Sequence, residues 1–296
     1  MFPDEFDYYE ADSVDEAVEL LDEHAGEEVE LLAGGHSLLP AMKTGLSSPD
    51  VLVDLGGVDE LHGVRTDGDV LSVGAMTAYS DFLDADESWE HAPALAAATR
   101  EVGDAQVRNR GTVGGNLAHA DPASDLPGAA LASDATVVVQ GTDGERKIPA
   151  EEFFYGMYAT DLAPGELLTR VEVPSAAGSV GAYAKKASPS SGYAMVGVAA
   201  LLDVDGGTVE SASVAANGVL DHGVRLDSVA DALDGETLDE DTIGRAASRA
   251  TDDIDEAMTM DDLQASGEFR AHLLEVYTER ALTTAMEEAS APAAAD

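Results

Sequence analysis

Two glycine pairs, far apart in the chain, constrain it most. The first stands in Ala33-Gly34-Gly35-His36-Ser37 and the second in Thr112-Val113-Gly114-Gly115-Asn116. Each follows or interrupts an apolar stretch, and each sets small residues where a side chain would block close approach to the backbone. Consecutive backbone N–H groups freed of bulky neighbours form an anion-binding concavity that suits the diphosphate of a dinucleotide. Either loop alone reads equally well as an ordinary turn. As a pair, one closing on His-Ser and the other on Asn, they predict that two distant bends converge on one phosphate-bearing ligand. Neither has the GxGxxG spacing of a nicotinamide-binding Rossmann unit.

Composition narrows the partners of such a ligand site. The chain has 296 residues, enough for two or three domains, and its apolar fraction of 45% is that of a folded protein. Fifteen basic residues against 59 acidic ones leave a formal net charge of −44. Nothing in that balance could neutralise nucleic-acid phosphates along a groove, and an anionic membrane surface would repel it. No run reaches the roughly 18 apolar residues of a membrane span. The acidic start, Met1-Phe2-Pro3-Asp4-Glu5, lacks the basic region of a signal peptide, so a cytoplasmic location is expected. With no cysteine, the chain cannot hold a thiolate-bound iron–sulfur cluster or a disulfide. Its seven histidines show no i, i+4 pair, and no metal site is expected.

The order of elements can be followed along the chain. Ser13 and Glu16 form a capping box that opens a helix with apolar residues at 14, 17, 18, 20 and 21. Strands are predicted at 29–32, 51–55, 70–75, 136–140 and 166–173, the last stopped by Pro174. Thr77 is a candidate cap for a helix through Leu83, and Pro93 suits the first turn of a helix to Val102. The stretch 174–180 reads as a linker. Beyond it, Ala194 to Val204 and Thr208 to Val219 make a hairpin about Asp205-Gly206-Gly207. Helices at about 226–234, 239–252 and 266–288 follow, with an Ala-rich tail at 289–296 expected to fray.

With those residues in view, the chain resembles the medium, FAD-binding subunit of molybdenum hydroxylases, of the aerobic carbon monoxide dehydrogenase and xanthine dehydrogenase types. The similarity is carried by Leu32 to Lys43 (LAGGHSLLPAMK), Gly74 to Thr77, and above all Gln106 to Pro127 (QVRNRGTVGGNLAHADPASDLP). Phe6 to Tyr8, Glu166 to Leu168, Tyr183 to Lys185 and Ser266 to Arg270 extend it over essentially the whole chain. The resemblance implies an α+β fold. A PCMH-type FAD-binding domain at 1–175, made of two α/β subdomains at about 1–56 and 57–175, would precede a C-terminal domain of antiparallel sheet plus helices at 181–288.

The same resemblance implies the site. Ala33, Gly34, Gly35, His36 and Ser37, with Thr112, Val113, Gly114, Gly115 and Asn116, would lie along the FAD diphosphate. Asp125 would sit near the adenosine end, although an Asx turn before Leu126-Pro127 competes for its carboxylate. Lys185, one of only four lysines, would lie near the flavin ring, with Tyr193 covering a face of it. Arg108 and Arg110 are expected to pair with carboxylates, holding the loop or a partner subunit. The implied activity is that of an oxidoreductase subunit. Electrons would come from the iron–sulfur clusters of a small subunit, fed by a large molybdenum-cofactor subunit, and leave through FAD to an external acceptor. A self-contained FAD-dependent oxidoreductase with its own substrate pocket is the alternative. No general acid, base or nucleophile on this chain needs to be invoked.

Because the acids are dispersed along the whole chain, the sequence predicts a halophilic surface hydrated and kept soluble at multimolar salt. Dialysis into dilute buffer should therefore cost the protein its structure, seen as loss of the far-UV circular dichroism. Full retention of the fold without salt would refute this reading.

Overall fold

The first turn of the chain follows the capping logic of its sequence. In the computed structural model, which describes residues 2–291, Ser13 Oγ accepts from the Glu16 N–H at 3.1 Å and the Glu16 carboxylate takes the Asp12 N–H at 2.8 Å. The helix so opened, α1 (Val14–Glu23), turns Val14, Ala17, Val18 and Leu21 inward, as its 3.6-residue period requires. It covers a small parallel sheet built from β1 (Asp7–Glu10), β2 (Val29–Leu32) and β3 (Val51–Asp54) in the order β1-β3-β2. The first glycine loop leaves β2 and enters α2 (Leu38–Thr44).

A second layer begins with β4 (Val64–Asp67) and β5 (Val70–Gly74). The helices α3 (Tyr79–Asp84), α4 (Asp86–His91), α5 (Pro93–Arg100), α6 (Ala105–Arg108), α7 (Val113–His119) and α8 (Leu126–Ala132) follow. The chain then returns through β6 (Thr136–Gly141), β7 (Gly144–Pro149), the short α9 (Ala150–Phe153), the pair β8 (Phe154–Gly156) and β9 (Ala159–Thr160), and β10 (Leu167–Pro174). β10 is central in an antiparallel sheet ordered β4-β5-β10-β6-β7. Thr77 does not cap α3. It is buried and exchanges two hydrogen bonds with the Gly63 backbone, at 3.0 and 3.1 Å, so its hydroxyl holds a crossing of two segments.

The third layer is an antiparallel sheet of β11 (Val180–Ala187), β12 (Ala194–Asp205), β13 (Thr208–Asn217) and β14 (Val224–Arg225), with α10 (Asp227–Leu233), α11 (Glu240–Ala247) and α12 (Gly267–Ser290). The hairpin turn carries Gly206 and Gly207 at φ +57 and +87, which explains the glycine pair there. β12 is almost continuously apolar because both of its faces are covered. Val196, Val198, Ala200 and Leu202 pack toward the C-terminal helices, whereas Ala199 joins the core beneath α5 and α8. α12 runs to Ser290, two residues into the segment expected to fray, and 292–296 lie outside the described residues.

The first and third layers are fastened to the middle one by close backbone contacts and buried polar groups. A Cβ on Gly181 would lie 2.2 Å from the Ala94 nitrogen, so β11 can meet α5 only through glycine. The Ala194 N–H reaches the Ala123 carbonyl at 3.1 Å and the Gly218 N–H reaches that of Pro122 at 2.8 Å. Arg270, buried in α12, donates to the carbonyls of Met195 and Gly218 and pairs with Asp262 at 2.7 Å, which ties that helix to the same strand ends.

At the centre of the interface lies an ion pair. Lys185 Nζ on β11 is 2.8 Å from Asp125 Oδ2 at the start of α8, and it also donates to the Glu101 carbonyl at 2.7 Å. Tyr183 gives its proton to the other Asp125 oxygen at 2.6 Å, through space that exists because residue 197 is glycine. Burial pushes the Asp125 carboxyl up to about 6, against the pull of Lys185 and Tyr183, which favour its charged form.

The pair is costly to break from one side. Lys185→Met strands a buried carboxylate and should lower stability by about 3–5 kcal/mol at pH 8. Because the folded-state pKa of Asp125 lies above the ordinary carboxylate value of about 4, the folded state keeps its proton more tightly. Removing Lys185, which favours the charged form, raises that pKa further, so the penalty sets in as pH rises through about 6, grows toward pH 8 and fades as pH falls toward 4. Denaturant melts of the variant and wild type at pH 5 and pH 8 should show the larger difference at pH 8.

Candidate functional site

The two glycine loops, separated by more than seventy residues of chain, touch. A Cβ built on Gly34 would lie 2.1 Å from the Arg110 carbonyl oxygen and 2.9 Å from the Gly111 Cα. One built on Gly115 would lie 3.1 Å from the Ala33 Cβ and 2.6 Å from the Thr112 hydroxyl. Gly114 is packed as tightly against Ala75, at 2.5 Å from its Cβ. Gly34 is thus required by the backbone of the other loop, and Gly114 and Gly115 by the small neighbours packed against them. At Gly34 and in part at Gly115 the room where a side chain would stand is taken by the opposite loop, and at Gly114 by Ala75.

The loops differ in their donors. In the first, Gly35 has φ +72, a left-handed conformation that turns neighbouring N–H groups toward one side. Among the described residues, no acceptor is hydrogen-bonded to the N–H groups of Gly34, Gly35, His36, Ser37 or Leu38. In the second loop the N–H groups are already used. Val113 donates to Thr77 O at 3.0 Å, Gly114 to Ala75 O at 2.9 Å, Gly115 to Thr112 Oγ1 at 3.2 Å and Asn116 to Thr112 O at 3.1 Å. The N–H groups of the second loop are thus satisfied within the protein, and those of the first are not. The second glycine pair lies in the first turn of α7, where Thr112 is the N-cap, and Val113 points into the core.

The side chains sort in the same way. Asn116 is held at both ends: Nδ2 donates to the Tyr79 hydroxyl at 2.8 Å and Oδ1 accepts from Ser124 at 2.6 Å. His36 is exposed and, among the described residues, makes no hydrogen bond. Tyr193, half-exposed on the segment between β11 and β12, brings its hydroxyl beside Ser37 of the first loop. The segment between β11 and β12 thus reaches over to the open loop through this ring. Burial and the nearby Asp121 carboxylate raise the Tyr193 pKa, which keeps the phenol protonated.

Asp125 and Lys185 do not take the places expected of them. They form one buried pair and so cannot serve opposite ends of a dinucleotide, and the Asp125 carboxylate makes no capping bond to α8 that would support an Asx turn. The physical reason is charge: a carboxylate and an ammonium buried at the same interface lower each other's desolvation penalty. Arg108 does hold the loop, but through the carbonyls of Val102, Gly103 and Arg100, not a carboxylate. Arg110 contributes its carbonyl to the loop contact, and among the described residues its exposed guanidinium pairs with no carboxylate. Sequence reasoning missed Tyr79, Ser124 and Tyr183. Tyr183 lies within the stretch Tyr183 to Lys185 that carried the resemblance, whereas nothing in the sequence around Tyr79 marks it.

The open N–H groups of the first loop make a donor set for an anion, and a diphosphate suits it. Comparison with known proteins agrees. Residues 4–176 match the family described as FAD binding domain in molybdopterin dehydrogenase, and residues 181–285 match the CO dehydrogenase flavoprotein C-terminal domain. The chain is 36% identical over 281 residues to the glyceraldehyde dehydrogenase medium chain of Sulfolobus acidocaldarius, covering 95% of this chain and 98% of that one. It is 35% identical over 286 residues to the carbon monoxide dehydrogenase medium chain of Hydrogenophaga pseudoflava, covering 96% and 98%. A solved structure of carbon monoxide dehydrogenase from Hydrogenophaga pseudoflava superposes with a TM-score of 0.90 at 36% identity, over 97% of this chain and 99% of that one.

Because the Arg110 carbonyl leaves no room for a methyl group, Gly34→Ala must open the junction. An overpacked site of this kind should lower stability by about 1–3 kcal/mol. Gly244→Ala is the control, since a Cβ there meets nothing within 4 Å and the helix gains from losing glycine. Urea melts should move in opposite directions for the two variants.

Proposed function

This chain belongs to the family of FAD-binding medium subunits of molybdenum hydroxylases, and from that we infer that it is the electron-transferring flavoprotein component of such a complex. The observation that carries the site assignment is the contact of the two loops with only the first left open. Its N–H groups hold the FAD diphosphate, with Ser37 adding a hydroxyl and Tyr193 closing over the flavin side. The second loop is the buttress that sets the angle of the first. Asp125 and Lys185 keep the C-terminal domain in register so that Tyr193 stays in place. Bound FAD supplies the redox chemistry, taking up electrons and passing them on, while the protein binds and orients it.

Electrons arrive from a small iron–sulfur subunit and ultimately from a large subunit that holds the molybdenum cofactor. Relatives named for glyceraldehyde and for carbon monoxide match this chain almost equally well, at 36% and 35% identity. That parity favours a substrate chosen outside this subunit. We assign the complex to a cytoplasm of high salt, on the strength of the net charge of −44, and no helix among the described residues is long and apolar enough to cross a membrane.

The rival reading, a self-contained FAD oxidoreductase, is separated by anaerobic spectroscopy. The purified, flavin-loaded chain should keep its absorbance at about 450 nm, the band of the oxidised ring, when mixed with carbon monoxide, glyceraldehyde or xanthine alone. Addition of the chemically reduced iron–sulfur subunit should bleach it. Bleaching by one of those substrates without a partner would overturn the assignment.

A further inference from the structure

Tyr79 is the first residue of α3 and is buried, at 4% exposure. Its N–H donates to the Gly111 carbonyl at 3.0 Å, and its ring lies where a Cβ on Gly111 would be only 2.5 Å away. The ring therefore fills the underside of the turn that leads into the second loop. Its hydroxyl oxygen accepts from Asn116, whose own carbonyl oxygen accepts from Ser124.

This relay has a direction. The Ser124 proton goes to Asn116 and the Asn116 proton goes to Tyr79, which leaves the Tyr79 proton without an acceptor among the described residues. A buried hydroxyl donor left unmet is costly, and such groups point to a partner that completes them. Burial also raises the pKa of this phenol, so its proton stays in place at neutral pH. The hydroxyl lies within electrostatic reach of Tyr193, which stands beside Ser37 of the open loop. Asn116 directly follows Gly115, the residue packed on Ala33. The unmatched proton thus sits at the junction of the two loops.

We propose that Tyr79 is a further FAD-binding residue, donating its hydroxyl hydrogen bond to a diphosphate oxygen of the cofactor. A phosphate oxygen is the fitting acceptor because it is charged and only accepts, which makes the hydrogen bond stronger than one to a neutral ribityl hydroxyl. Asn116 is a positioning residue that aims the proton by donating to the Tyr79 oxygen, and Ser124 positions Asn116. The assignment rests on the reading of the first loop as the diphosphate cradle.

Tyr79→Phe keeps the ring under Gly111 and removes only the donor. Fluorescence titration of the apoprotein should show FAD binding about 10- to 100-fold weaker, the loss expected for one hydrogen bond to a charged oxygen. Binding of ADP, which carries the diphosphate without the flavin, should weaken in parallel, riboflavin binding should not, and the apoprotein should melt near the wild-type temperature. Equal losses for riboflavin and FAD would mark a structural role and overturn the proposal. So would FAD affinity within about twofold of wild type, or a loss on Ser124→Ala with none on Tyr79→Phe, which would mean that the relay runs the other way. Gly34→Ala in parallel separates the two readings. If it loses FAD while Tyr79→Phe does not, the cradle stands and only Tyr79 falls; if neither loses FAD, both fall.

Discussion

The close approach of the two glycine loops at Gly34 and Gly115 governs the rest of this structure. Arg110 sets its carbonyl where any side chain on Gly34 would have to be, and Ala33 meets Gly115 at the reciprocal point. Two turns joined this closely behave as one rigid corner, since protein interiors transmit strain and do not absorb it. The second turn is stiffened further by the use of its donors within the protein, from Val113 through Asn116. The first turn then needs no internal partners, because its geometry is imposed from outside. Its free N–H groups lie at the start of α2, where a helix leaves its first donors without intrahelical partners.

The middle layer carries the load on both sides of this corner. α7 and α8 connect the second loop to the C-terminal sheet, and small residues let them lie close to it. A Cβ on Gly128 would fall 2.9 Å from the Asn217 side chain. Into this close contact the chain places Asp125, Lys185 and Tyr183, all largely shielded from solvent. Such groups add little net stability compared with apolar packing, but they tolerate only one register of β11 on α8. That register also determines where Tyr193 emerges, and so couples the domain interface to the cleft.

The element order was legible in the sequence where a short-range rule applies. Ser13 and Glu16, Pro93, the Gly206-Gly207 turn and the long apolar run of β12 each announce themselves within a few residues, and the structure has them there. α6 and α8 were not legible. Asp104 caps the first through its carboxylate, and the second is an alanine-rich stretch behind a proline that reads equally well as a loop. Thr77 misled for a related reason: its hydroxyl suits a cap, yet Gly63, fourteen residues earlier, competes for it.

By itself, the sequence determined that two glycine bends meet, and motif resemblance identified the ligand class, because an anion cradle is made from local backbone and needs a recognisable local composition. It also determined the acidic surface, which is a sum over residues and needs no fold. Only the tertiary structure decided which bend is open, that Asp125 and Lys185 hold each other, and that Tyr79 keeps an unmatched proton at the junction. Each of those depends on hydrogen-bond partners that lie roughly thirty to sixty residues away or more, and a donor's availability is settled by whatever the fold brings beside it.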